Sequence, residues 1–255
     1  MWTRREIKSN AWENLRVSYW KAFLVSLVIA LVGGNGSGGF NFNWNTGDSH
    51  GSPSSWFSAG PGGEMLSTTA IALIIAAVCI GLLVFLAFRI LVGYPLEVGG
   101  RKYFIEAEQF RYDMNHLGFV FNKTRYLDVV KSMFWRALIN LLWYLLLIIP
   151  GIVMAYAYRM VPYILADNPN IGYKRALELS TRMTSGHKWG IFVLDLSFIG
   201  WTILGILALF IGILFIFPYI NATNGELYLI LRQNALTQGL CSREELLLEP
   251  ISDIE

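Results

Sequence analysis

The chain has 255 residues, of which 55% are hydrophobic and 15% are charged, and its mean hydropathy is +0.47. Soluble domains average about 25% charged residues, so this composition excludes an ordinary soluble protein. The net charge of +2 does not indicate nucleic-acid binding, and the two cysteines, Cys79 in an apolar run and Cys241 in a polar segment, predict free thiols.

A basic amphipathic segment comes first and is followed by an apolar run. Ile7, Ala11 and Leu15 recur at a spacing of four, which predicts an amphipathic helix at residues 3–18. The apolar run at residues 19–32 predicts a first membrane span, TM1. Because the region ahead of this run is long and patterned like a helix, we interpret the run as an uncleaved anchor and not as a secretory signal.

Residues 33–67 are predicted to form a flexible loop on the outer side of the membrane. The part at residues 33–63 is rich in glycine, serine, asparagine and aromatic residues, a composition that cannot build a core of its own. An alternative is that its aromatic side chains rest at the membrane interface, where tryptophan is enriched.

The remaining apolar runs predict five further spans, since about 20 apolar residues cross a hydrocarbon core of about 30 Å. Pro150 and Gly151 divide a run that is too long for one crossing, and Gly200, Gly205 and Gly212 offer places to turn in the last run. The predicted spans are residues 68–92 (TM2), 134–149 (TM3), 151–166 (TM4), 189–206 (TM5) and 208–231 (TM6).

Lysine and arginine are confined to one side of this six-span arrangement. Both are absent from the outer loop and from the two short hairpin tips. The positive-inside rule therefore predicts that both termini, including a tail at residues 232–255, lie in the cytoplasm. We expect an all-α, polytopic membrane protein, with residues 1–255 forming a single membrane domain.

Three features recur in the same order and predict three hairpins, each preceded by an interfacial amphipathic helix. A tryptophan beside a cation lies at the start of each odd-numbered span, and a proline beside a tyrosine lies toward the end of each even-numbered span. Further amphipathic helices are predicted at residues 122–133 and 171–185. The predicted interfacial anchors are Trp20, Lys21, Trp135, Lys188 and Trp189, and the predicted helix kinks are Pro95, Pro162 and Pro218. Unrelated membrane hairpins also acquire such residues, so coincidence is the alternative to a repeat.

Asp195 is the one acidic residue deep in an apolar run, and ionisable groups at that depth are usually paired or functional. Arg136 and Arg159 lie near the ends of neighbouring spans and are the candidate partners. These three residues form the predicted intramembrane polar site. The alternative is a purely structural aspartate, held by an arginine or by backbone and hydroxyl donors. Arg89 and Glu226 are interpreted as interfacial anchors.

The sequence contains no pattern typical of a catalytic or metal site. His50, His116 and His187 lie in different predicted loops, and no HExxH, GxSxG or Walker motif is found. We therefore expect no enzyme activity, no cofactor and no bound metal.

Four segments resemble a known family. PGI at residues 150–152, PYILADNP at 162–169, GHKW at 186–189 and FVLDLSFIGW at 192–201 are similar to the bacterial domain-of-unknown-function 975 family. The resemblance implies a multi-span integral membrane protein of the bacterial plasma membrane. It assigns no catalytic or binding residue, because that family has no established activity.

The expected function is non-enzymatic and consists of binding or organising a lipid, an amphipathic peptide or a partner protein at the inner leaflet. Cations on the amphipathic helices would meet anionic headgroups of membrane lipids, each contributing about 1 kcal/mol near the surface. The alternative is a small transporter or exporter with a path between the hairpins, lined by Asp195 and the kinked spans. No nucleic-acid partner is expected, and the oligomeric state stays open.

Overall fold

The structure is a computed structural model that describes residues 2–32, 68–207 and 211–248. The predicted outer loop at residues 33–67 therefore lies outside the described residues, as does the end of the predicted tail. The described secondary structure is entirely helical. The ten α-helices in the described part are α1 (Arg4–Val17), α2 (Tyr19–Leu31), α3 (Thr68–Phe88), α4 (Tyr94–Ala107), α5 (Lys123–Leu146), α6 (Ile148–Ala157), α7 (Val161–Asp167), α8 (Tyr173–Thr184), α9 (Lys188–Leu207) and α10 (Ile211–Thr237).

Three helical segments among the described residues are long and apolar enough to cross a membrane. They are Ala72–Ala107, Lys123–Leu146 and Ile148–Asp167. The α1–α2 pair would add a fourth crossing, although the two helices are bent by 106° relative to each other. The described residues thus support three or four crossings, and the arrangement of six spans in three hairpins stays a prediction.

The second predicted span is longer than the sequence indicated. The chain continues from α3 through a π-helical turn at Arg89–Gly93 into α4, so that the helix ends at Ala107 and not near Val92. Most side chains of α4 are buried, including Glu97 and Arg101 at 2% and 1% exposure. From hydropathy alone, a predicted span ends at such charged residues, because the sequence does not show that each charge has a partner inside the protein.

Other helix boundaries also differ from the sequence interpretation. The predicted interfacial helix at residues 122–133 and TM3 form one continuous helix, α5. The last helix, α10, continues to Thr237, beyond the predicted start of the tail at residue 232. Residues 238–248 then fold back onto α8, where the Arg175 Nε donates to the Glu245 carboxylate at 2.6 Å.

The helix α1 lies across the inner helices with one apolar face turned toward them. Ile7, Ala11 and Leu15, the residues of the predicted apolar face, are at most 3% exposed. Lys8 directly follows Ile7, and its Nζ lies 3.9 Å from the centroid of the Phe198 ring on α9. The aliphatic stem of a lysine packs on apolar surface while its ammonium group meets a ring face, so α1 contacts α9 as well as α10.

The centre of the structure is formed by α4, α7 and the second half of α10. α4 packs against both α7 and α10, and the rings of Tyr163 on α7 and Tyr228 on α10 stack with centroids 5.3 Å apart. Gly99 lets the 3₁₀ helix Met114–Gly118 touch α4, because a Cβ at position 99 would lie 2.2 Å from the Leu117 carbonyl oxygen. These inner helices hold most of the buried polar side chains described below.

The amphipathic helices pack on the inner helices in a cyclic order. The first helix of each predicted repeat contacts the last helix of the repeat before it. Thus α5 packs on α4 and α8 packs on α7, and α1, which opens the first repeat, packs on α10, which closes the third.

Candidate functional site: a buried polar network

Two of the three residues of the predicted polar site are in direct contact. Arg159 lies in the turn between α6 and α7, is 1% exposed, and donates from Nη1 and Nη2 to the two carboxylate oxygens of Asp195 on α9 at 2.5 and 2.8 Å. Tyr156 donates a further hydrogen bond to Asp195 Oδ2 at 3.1 Å. A two-point guanidinium–carboxylate pair of this kind fixes the relative orientation of both side chains.

Arg136, the third residue of the predicted site, lies next to a different acid. Its Nη1 is 3.8 Å from Glu97 Oε1, because α5 packs against α4. Glu97 also receives a hydrogen bond from Arg89 Nη2 at 3.2 Å. The sequence left the partner of Asp195 open between two arginines, and the structure brings Arg159 to it and Arg136 to Glu97.

Arg101 connects the three inner helices and was missed by the sequence interpretation. From α4, its Nη1 donates to Asn221 Oδ1 on α10 at 2.6 Å, and its guanidinium lies 5.3 Å from the centroid of the Tyr163 ring on α7. Asn221 in turn donates to Ser26 Oγ on α2 at 2.9 Å. Glu97 and Arg101 are four residues apart, a spacing that fits one helix face, but the Gly99–Gly100 pair between them is typical of a turn and so hides this signal.

A second set of contacts joins the ends of the inner helices around Asp167. Its carboxylate accepts hydrogen bonds from the Tyr228 hydroxyl at 2.7 Å and from Arg232 Nη1 at 2.9 Å, both on α10. Lys102 of α4 lies 3.8 Å from the same carboxylate. Asn224 lies one helical turn before Tyr228 on α10 and accepts a hydrogen bond from Arg159 Nη2 at 2.7 Å. It thereby connects this set of contacts to the Arg159–Asp195 pair.

The network consists mainly of ion pairs and of hydrogen bonds to charged groups. Its acids are matched by cations. The pairs Arg136–Glu97, Lys102–Asp167, Arg159–Asp195 and Arg232–Asp167 join different parts of the fold and fix how the inner helices sit against one another, whereas Arg89 and Glu97 lie on one continuous helix. No group of acidic, histidine or cysteine side chains in the described residues could hold a metal ion. Cys79 and Cys241 are free thiols.

The predicted anchors lie at the surface of the helical assembly. Trp20 and Trp189 are 69% and 74% exposed, and Lys188 begins α9. Lys21 donates from Nζ to the Tyr112 carbonyl oxygen at 3.1 Å. Trp135 stacks on Tyr173 of α8 with ring centroids 5.4 Å apart, an intrachain contact that the sequence did not predict.

Two of the three predicted kink prolines occupy related places. Pro95 is the second residue of α4, directly after the π-helical turn, and Pro162 is the second residue of α7, directly after the turn that ends α6. Proline is tolerated there because the first helical N–H groups have no partner in the helix. Pro218 lies inside α10.

A family model covers the part of the chain that holds much of this network. Residues 114–235 match the model of DUF975, a protein of unknown function. The resemblance stated from the sequence is therefore confirmed over these residues. The DUF975 region includes Arg159, Asp167 and Asp195, whereas Arg101 and all of α1 precede it. No curated protein and no solved structure matches the chain.

Proposed function

We propose that this protein is a non-enzymatic, multi-pass membrane protein that binds anionic lipid at the inner leaflet. What carries the proposal is a basic surface beside exposed tryptophans on the amphipathic parts of the chain. The exposed cations of α1, of the first half of α5 and of α8 are Arg4, Arg5, Arg16, Lys123, Arg125, Lys131, Lys174 and Arg182. Each cation near an anionic membrane contributes about 1 kcal/mol, so a few simultaneous contacts suffice for selective binding.

The buried polar network supports a scaffold role in this proposal. Ion pairs between α4, α7, α9 and α10 hold the inner helices in one arrangement, which keeps the amphipathic helices in place around them. A surface that is fixed before binding loses less conformational entropy when the lipid arrives.

The finer topology belongs to the same proposal. We take α9 and α10 as two further crossings, since α9, with 20 residues at 1.5 Å each, would span about 30 Å, the thickness of a hydrocarbon core. With six crossings, both termini lie on the basic, cytoplasmic side of a bacterial plasma membrane.

The test is the lipid preference of the full-length protein. Native mass spectrometry of the purified protein in detergent, with phosphatidylglycerol or phosphatidylcholine of identical acyl chains added, compares headgroups that differ in charge. We expect phosphatidylglycerol to be retained about thirtyfold more tightly or better, as two or three headgroup contacts of about 1 kcal/mol each would give. Equal retention of the two lipids would contradict the proposal.

The buried charges favour a second candidate, a transporter whose path runs between the inner helices. In that case the Arg159–Asp195 pair would have to open during each cycle. A solute or proton flux in proteoliposomes that Asp195→Asn abolishes, without loss of folded protein, would favour this candidate over the lipid binder.

A further inference from the structure

A groove of about 740 Å³ opens between the start of α1 and the turn from α8 into α9. Trp2, Arg4 and Arg5 line it from the α1 side, and His187 and Trp189 line it from the α9 side. Residues far apart in the sequence are thus brought together at one place on the basic surface. No acidic side chain is among its lining residues.

The two arginines of the groove are available for a ligand. Arg4 and Arg5 are exposed, and the ion pairs among the described residues all involve other cations. The first turns of two helices also meet here, because α1 begins at Arg4 and α9 at Lys188. At the start of α1, Thr3 Oγ1 accepts from the Glu6 N–H at 3.3 Å, and the remaining N–H groups at the two helix starts add to the positive potential that the guanidinium groups create.

The wall of the groove on the α1 side is held in place by packing. The Trp2 ring lies 6.1 Å from the His187 ring, and Gly190 allows this approach, since a Cβ at position 190 would be 3.1 Å from the Trp2 ring. The Trp2 indole Nε1 is buried and has no hydrogen-bond acceptor among the described residues. The contacts with His187 and Gly190 hold the Trp2 ring in place at one side of the groove.

An apolar stripe on α9 extends from the groove. Trp189, Phe192, Leu196 and Ile199 are between 37% and 74% exposed and follow one another at spacings of three and four residues, so they share one helix face. A phosphate alone would use only the cationic end, whereas a lipid would use the cations and the stripe together.

We propose that this groove binds the phosphate-bearing headgroup of an anionic lipid, with the acyl chains lying along the stripe on α9. The assignment rests on the proposed function and gives it a discrete site. Arg4 and Arg5 bind the phosphate, and Trp2 and Trp189 pack beside the glycerol region, the depth that tryptophan favours in membranes.

The test compares two double variants of the full-length protein that lose the same charge. Arg4→Gln/Arg5→Gln removes the cations of the groove, and Arg16→Gln/Lys174→Gln removes two exposed cations elsewhere on α1 and α8. All four side chains are exposed, and glutamine suits helices, so both variants keep the fold. Binding of phosphatidylglycerol is measured by native mass spectrometry, with inorganic phosphate as a competitor.

We expect the groove variant to bind phosphatidylglycerol about thirtyfold more weakly, the loss that two cations in direct contact with the headgroup predict. The comparison variant loses two cations of the wider basic surface that do not line the groove, so its binding should weaken clearly less. Inorganic phosphate should not displace the lipid. Equal weakening in both variants would overturn the groove while leaving the proposed function in place. Displacement of the lipid by inorganic phosphate would mean that the groove binds a free anion and not a lipid. A lack of preference for phosphatidylglycerol in the unchanged protein would overturn both proposals.

Discussion

At the scale of single residues, Arg159 and Asp195 depend on each other. Both side chains are mostly buried, and the guanidinium is held by the carboxylate and by Asn224. Removing one member of a buried ion pair leaves the other charge without compensation, which costs about 3–5 kcal/mol, whereas removing both is far less costly.

This dependence gives a prediction for three variants. Asp195→Asn and Arg159→Gln should each lower the free energy of unfolding by several kcal/mol, and the double variant should lie closer to the unchanged protein than either single variant. The apparent melting temperature in detergent ranks the three variants and the unchanged protein by stability. If Asp195→Asn melts at the temperature of the unchanged protein, the pair has no structural role.

Glu108 is a second residue whose surroundings predict a measurable effect. It follows the end of α4, is 7% exposed, and accepts a hydrogen bond from Asn14 of α1 at 2.6 Å. Burial raises the pKa of its carboxyl group to about 8, the hydrogen bond from Asn14 lowers this pKa in part, and the nearby Glu226 carboxylate raises it.

The fold therefore prefers the protonated form of Glu108. In an unfolded chain the pKa of a glutamic acid is about 4.3, so the stability that proton uptake gives to the fold is fully present below that pH and is lost as the pH rises through about 8. The melting temperature should fall over this window, and Glu108→Gln should reduce the fall. Glu244→Gln, at an exposed position, is the control and should keep the full pH dependence.

At the scale of elements, α4 shows what close contact requires. Gly99 faces the backbone of the 3₁₀ helix Met114–Gly118, where the neighbouring carbonyl oxygen of Leu117 cannot move aside as a flexible side chain would. Gly81 on α3 offers the contrast, because a Cβ there would meet no atom within 4 Å.

We predict that Gly99→Ala lowers the free energy of unfolding by about 1–3 kcal/mol, the range of overpacking changes. Gly81→Ala should leave it unchanged or raise it by up to about 1 kcal/mol through helix propensity. Thermal unfolding of both variants in the same detergent measures the difference. Equal behaviour of the two variants would mean that α4 and the 3₁₀ helix are not in close contact.

The helices differ in how far their sequence predicts them. The buried face of α1 follows from the spacing of Ile7, Ala11 and Leu15, since an amphipathic helix carries its own periodic pattern. The buried part of α4 could not be found in this way, because Glu97 and Arg101 read as polar surface until their partners on other helices are known. The partner of Asp195 was likewise a choice between two arginines that only the packing of α5 on α4 resolves.

At the scale of the whole molecule, a polar interior is combined with a basic exterior. The inner helices α4, α7 and α10 are joined by ion pairs, and the amphipathic helices pack around them in cyclic order. In the proposed arrangement this core fixes a cationic surface at one membrane face. Exposed charges act over a Debye length of about 10 Å at 0.1 M salt, so binding at that surface is expected to depend on ionic strength.

The most direct measurement of the central claim is the affinity of the full-length protein for phosphatidylglycerol, relative to phosphatidylcholine with the same acyl chains, as the salt concentration is raised. We predict a preference of about thirtyfold or more for phosphatidylglycerol at low salt, which decreases as the salt screens the exposed arginines and lysines. Equal affinity for the two lipids at every salt concentration would contradict it.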